Sequence, residues 1–132
     1  MKEFDIKKTD LSPKIILNKE ENFYLFSGKS VIENAEEFYT PVFNWFKNYY
    51  KNPNTSTNII FFIEYFNSAS SHQIGNLFNL FSKHKNTLLN VCWLYENNDE
   101  LIKEAGKEFK DFYDINFDLI PVNPEDTGIF DF

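Results

Sequence analysis

Apolar and polar positions follow two periods along this chain, and the places where the period changes mark out eight elements. Ile15-Ile16-Leu17 and Phe23-Tyr24-Leu25-Phe26 are short apolar runs separated by polar residues 18–22, the pattern of two strands joined by a hairpin loop. Residues 1–11 mix charges with isolated apolar side chains and carry no element; Ser12-Pro13 punctuates them, and Gly28 closes the second strand. From Asn34 the period changes. Ala35, Phe38, Tyr39, Val42, Trp45, Phe46 and Tyr49 recur at the three- and four-residue steps of one broad helical face. Asn34 with Glu37 three residues on has capping-box spacing, and Asn52-Pro53-Asn54 ends the helix. Pro41 lies inside the pattern and removes a backbone donor, which predicts a kink or a split first turn.

Residues 57–66 form the longest strand, with apolar side chains on both faces, a pattern that predicts cover on both sides of a largely parallel sheet. A second helix carries Ile74, Leu77, Phe78 and Phe81 on one face and ends near Lys83-His84-Lys85, cations suited to the negative end of a helix dipole. Residues 88–95 alternate as a strand, Asp99 caps a third helix bearing Ile102, Ala105, Phe109 and Phe112, and residues 117–122 are the last strand. The order β-β-α-β-α-β-α-β predicts an α/β fold, a mixed sheet with an antiparallel edge and helices packed against it. Residues 1–122 read as a single domain and residues 123–132 as an acidic C-terminal tail.

Charge and composition narrow the function classes. The chain has 132 residues, 42% of them hydrophobic and 16 of them Phe, so phenylalanine takes core positions that Leu or Val fill elsewhere. A net charge of -7 lacks the concentrated Lys and Arg of a nucleic-acid surface or an anionic-membrane binder. One cysteine excludes an internal disulfide, no apolar leader opens the sequence, and the apolar run 59–63 is too short to cross a bilayer. A cytoplasmic monomer is the expectation.

Catalytic groups are scarce. His72 and His84 lack the four-residue spacing of a helical metal pair, and Cys92 sits between Val91 and Trp93 as a buried structural thiol. No glycine-rich phosphate loop occurs, so no cofactor or metal is expected. Glu33, Glu36 and Glu37 suit a helix N-terminus, with an acidic patch for a basic partner as the competing reading. Glu64 interrupts the long strand where it feeds the turn Asn67-Ser68-Ala69-Ser70-Ser71. Ser70 with Gln73 has capping-box spacing, which makes Ser70 the N-cap and leaves Ser68 just outside the helix with a free hydroxyl. Spacing equally allows Ser68 to be the cap.

Two motifs then identify the chain with a known family. Glu33-Asn34-Ala35-Glu36-Glu37-Phe38-Tyr39-Thr40-Pro41-Val42-Phe43-Asn44-Trp45 and Glu64-Tyr65-Phe66-Asn67-Ser68-Ala69-Ser70-Ser71 resemble the SiaC-like regulatory phosphoproteins. Gly28-Lys29-Ser30, Trp93-Leu94-Tyr95-Glu96 and Ala105-Gly106 fall where that family places similar residues. The resemblance implies a STAS-like fold, that of anti-sigma-factor antagonists, and a non-enzymatic partner switch. In it a Ser/Thr kinase of the histidine-kinase-like ATPase fold phosphorylates a turn hydroxyl, and a PP2C-type phosphatase removes the phosphate. The unmodified form binds and activates a diguanylate cyclase, which links the switch to cyclic-di-GMP and biofilm behaviour. The family's acceptor, commonly Thr, falls on Ser68, with Ser70 and Ser71 as runners-up. Glu36, Tyr39, Glu64, Tyr65, Asn67, Ser68, Ala69, Ser70 and Ser71 form the implied partner-binding surface. Two other readings stand beside this one: an anti-anti-sigma-type switch with a different target, and a small-molecule-sensing module with a solvent-open pocket lined by Tyr39, Tyr65 or Trp93.

Overall fold

Nine elements form in the computed structural model, which describes residues 1–123 and 125. They are β1 (Phe4–Ile6), β2 (Lys14–Asn18), β3 (Phe23–Ser30), α1 (Ala35–Tyr49), β4 (Ser56–Phe66), α2 (Ser68–Lys83), β5 (Leu88–Glu96), α3 (Glu100–Phe112) and β6 (Asn116–Val122). The strands lie in one sheet in chain order, β1 to β6. β1, β2 and β3 pair antiparallel, whereas β3, β4, β5 and β6 pair parallel. The expected mixed α/β sheet with an antiparallel edge is therefore present. The tail expected over residues 123–132 lies outside the described residues except for positions 123 and 125.

Each parallel step moves the chain one strand in the same direction through a helix. Right-handed crossovers taken in one direction place all three helices on the same face. That face holds the main core: Phe26 stacks on Phe61 with centroids 4.4 Å apart, and Phe78 of α2 meets Phe61 edge-on at 5.1 Å. Trp93 is fully buried among Phe61, Phe78, Phe109 and Phe117, and its indole N–H donates to the Ile102 carbonyl at 3.0 Å. Phenylalanine does fill the core, and each ring pair adds about 0.5–1.5 kcal/mol beyond the area it buries.

Four local expectations are corrected. Residues 4–6, read as no element, form β1 because Phe4 and Ile6 alternate around Asp5 and pair with Leu17 and Ile15. β3 does not close at Gly28 but runs to Ser30. Gly28 adopts φ +118°, and the β3–β4 register shifts there, so that Lys29 and Ser30 pair with Tyr65 and Phe66 and Glu64 is bulged out. The first turn of α1 is not split off at Pro41: the helix runs through it unbroken, with Pro41 on its exposed side. Finally, among the described residues no helix covers the second face of β4. Leu25, Phe62 and Leu94 are nonetheless buried there, with Leu25 flanked in register by Ile16 and Ile60, and Leu94 by Ile120.

Candidate functional site at the β4–α2 turn

The turn after β4 is set by an asparagine. Asn67 is the N-cap of α2: its side-chain oxygen accepts from the Ser70 N–H at 2.9 Å, and its carbonyl accepts from the Ser71 N–H at 2.9 Å. The expectation that Ser70 caps the helix is thereby corrected. Asn caps as well as Ser does, and Asn67 lies three residues before Ser70 with the extended backbone a cap requires. Asn67 also clips the turn to its surroundings. Its backbone N–H donates to the Ser30 carbonyl at 3.1 Å, and its side-chain amide donates to the Ile32 carbonyl at 3.2 Å.

With Asn67 as cap, Ser68 is the first helical residue rather than a residue outside the helix, and it caps nothing. It is exposed, as is Ala69, while Ser71 is half-buried. Ser70 is fully buried. The Ser30 hydroxyl donates to the Ser70 hydroxyl at 2.8 Å and lies 2.8 Å from the Tyr39 hydroxyl. Since Ser30 has one proton and gives it to Ser70, Tyr39 is the donor in the other bond. This chain of three buried hydroxyls ties α1, β3 and α2 together two residues from Ser68. Burial pushes the Tyr39 phenol up to about 12, against a smaller lowering by Ser30, so it is a neutral donor at any ordinary pH.

The sequence-nominated residues therefore separate by depth. Ser68, Ser71 and His72 surround a shallow depression that Phe66 and Asn67 complete. Tyr39 and Ser70 lie below the surface and can act on it only by positioning the turn. Tyr65 is 55% exposed, a large apolar ring standing three residues before Ser68. Glu64 is exposed but lines a neighbouring depression of about 320 Å³ with Lys29, Tyr95 and Asp99. Glu36 is exposed in the first turn of α1, where Asn34 caps as expected. Asp99 likewise caps α3. Ser30 was not nominated for the site; its only signal was the family-like Gly28-Lys29-Ser30, and its reach to Ser70 depends on the extension of β3 past Gly28.

The electrostatics of the turn follow from helix ends. α1 and α3 carry acids in their first turns, Glu36 and Glu37 in one and Glu100 in the other, while α2 carries none. Its own first turn thus supplies no carboxylate to compensate the positive helix end beside the Ser68 hydroxyl. Among the described residues no group of three or more His, Cys, Asp or Glu could hold a metal ion, and no helix is long and apolar enough to cross a membrane. The Cys92 thiol is half-buried, and burial pushes it up, away from a reactive thiolate. Of the three aromatics expected to line a ligand-sensing pocket, Tyr39 and Trp93 are packed and hydrogen-bonded within the core and open onto no solvent, while Tyr65 is exposed.

Comparison with known proteins gives the same frame. Apo-SiaC from Pseudomonas aeruginosa superposes with a TM-score of 0.83 at 18% identity, covering 91% of this chain and 99% of that one. A chain in the structure of the diguanylate cyclase SiaD in complex with its activator SiaC, also from Pseudomonas aeruginosa, gives a TM-score of 0.83 at 18% identity, covering 90% and 99%. At such identity the likeness speaks for the fold. No curated protein matches. The model of the SiaC family regulatory phosphoproteins matches residues 6–122, from the end of β1 to the end of β6, and the chain belongs to that family.

Proposed function

We propose that this chain is a non-enzymatic partner switch whose modified residue is Ser68. A Ser/Thr kinase of the histidine-kinase-like ATPase fold phosphorylates it, a PP2C-type phosphatase restores it, and the unmodified form binds and activates a diguanylate cyclase. One observation carries the reading: of the turn's three serines, Ser68 is the exposed one, whereas Ser70 is fully buried and Ser71 half-buried. The turn that presents it is fixed by Asn67 and by the Tyr39–Ser30–Ser70 hydroxyl chain. The solved SiaD–SiaC complex supports a cyclase as the partner class.

The switch works through charge at a surface. A phosphate adds roughly -1.5 to -2 charges and three acceptor oxygens. The N-terminus of α2, free of acids in its first turn, accommodates that charge with about 0.3–1 kcal/mol of favourable interaction, so the fold tolerates the modification. A partner surface packed on the neutral hydroxyl does not. Burying a phosphate without a cation costs several kcal/mol, and each ~1.4 kcal/mol is a tenfold loss of affinity. Ala69, Tyr65 and Ser71 supply the uncharged contact surface around the acceptor, which works as a cytoplasmic single-domain protein. Incubation with the kinase and ATP followed by site mapping by mass spectrometry tests the assignment. Phosphate is expected on Ser68 and is lost in Ser68→Ala; phosphate on Ser71, or none at all, contradicts it.

A further inference from the structure

The Ser68 depression does not stand alone. His72, one turn along α2, lines it and also lines a trough of about 530 Å³ between the outer faces of α1 and α2. The two helices run in the same direction, since each returns from the C-terminal end of one parallel strand to the start of the next. Glu36 and His72 therefore mark one end of the trough, and Lys47 and Lys83 the other, eleven residues further along each helix. That separation is about 16 Å, or three helical turns. Phe43 and Leu80, half-buried against the core below, give the trough two apolar contacts.

Charge along this trough runs against the rest of the molecule. The chain carries -7 overall, yet α2 contains no Asp or Glu over its full length, and the trough sets two lysines against one glutamate. A surface with more lysines than carboxylates, in a protein of net charge -7, is complementary to an acidic partner. We infer that the α1–α2 trough is the docking groove for an acidic amphipathic segment of the partner protein. Apolar side chains of that segment pack on Phe43 and Leu80, its carboxylates meet Lys47 and Lys83, and its near end closes over Ser68. The inference rests on the Ser68 switch for its regulation and supplies the sign of that regulation. Phosphate at the near end of the groove adds negative charge facing an acidic occupant, so the modified form releases it.

The experiment uses the full chain and the diguanylate cyclase of the same organism, with affinity measured by calorimetry at two ionic strengths. The double variant Lys47→Glu/Lys83→Glu changes two exposed side chains at the far end of the groove, while Lys107→Glu/Lys110→Glu on α3 is the control of equal charge. At least tenfold weaker binding and a flattened salt dependence are expected for the groove pair, with the control within twofold of the parent protein. Binding of the groove pair within twofold of the parent overturns the groove, as does a change only in the sedimentation of the protein by itself, which makes the occupant a second copy. Ser68→Glu, measured in parallel, separates the two readings. Weakening by Ser68→Glu with an unaffected groove pair removes the groove and keeps the switch; the reverse pattern keeps the groove and removes the switch. Should the groove pair melt early, hydrogen exchange on the unaltered protein decides: protection of the outer faces of α1 and α2 on cyclase binding supports the groove, and its absence overturns it.

Discussion

One asparagine holds the Ser68 turn in shape. Asn67 caps α2 through Ser70 and reaches back to Ile32, so its side chain joins the start of the helix to the loop before α1. Asn67→Ala should lower stability by about 1–2 kcal/mol, read from urea unfolding, and should loosen the Ser68 turn in hydrogen exchange. Unchanged values for both would show that the cap is dispensable. Tyr39 makes a second prediction at this scale. An unfolded tyrosine ionises near pH 10, whereas burial holds Tyr39 protonated up to about 12. The folded state then keeps a proton that the unfolded state has lost, so stability is complete below about pH 10 and falls as pH rises toward 12, by roughly 2–3 kcal/mol from this group. Burial raises Tyr24 and Tyr50 in the same direction, so the alkaline loss is shared. Tyr39→Phe should reduce the alkaline slope while costing about 1 kcal/mol at neutral pH for the lost Ser30 hydrogen bond. An identical slope would contradict the assignment. Sequence spacing points to Ser70 or Ser68 as the cap of this turn, whereas Asn67 caps it, because Asn67 and Ser70 are equally good caps three residues apart. What separated them was tertiary: Ser70 is drawn inward by Ser30, a strand residue forty positions away.

At the scale of elements, helices with a full apolar stripe and a capping residue were legible almost to the residue. α1 and α3 start after Asn34 and Asp99, as their sequences indicate. Strand ends were not. β1 is three residues long, too short for a period to register, and the β3 extension hides behind Gly28, which reads as a terminator and serves as a bulge. Apolar residues on both faces of β4 predict cover on both sides, but connection handedness, not side-chain pattern, decides on which side the helices lie. A glycine in α3 gives a test of how closely the layers fit. A methyl group on Gly106 would collide with Trp93 Cδ1 and lie 2.6 Å from Leu119 Cδ2. Helix propensity favours Ala over Gly by about 1 kcal/mol, yet crowding against a buried indole and the sheet costs about 1–3 kcal/mol and should win. Gly106→Ala is therefore expected to lower the thermal midpoint; a rise would mean that Trp93 yields easily.

At the scale of the molecule, the fold places the N-termini of α1, α2 and α3 at the same end of the sheet, the C-terminal end of its parallel strands. Two of those helices carry their own acids and one does not, so the single acid-free helix start coincides with the exposed serine. Family membership supplied what chemistry alone could not, a reason for phosphate to arrive there, while the geometry supplies a reason for it to matter. Because the modification adds charge to an exposed residue near a fixed hydroxyl chain, the phosphorylated protein should keep its circular dichroism spectrum and melt within a few degrees of the unmodified one. Refolding of the turn on phosphorylation would show as loss of exchange protection at Ser70 and Ser71, and is not expected. The central claim, that charge at Ser68 controls partner contact, is tested most directly by titrating the diguanylate cyclase of the same organism with protein carrying phosphoserine only at position 68. The unmodified chain should bind and the phosphorylated chain should bind at least a hundredfold more weakly; equal affinity of the two forms would contradict the account.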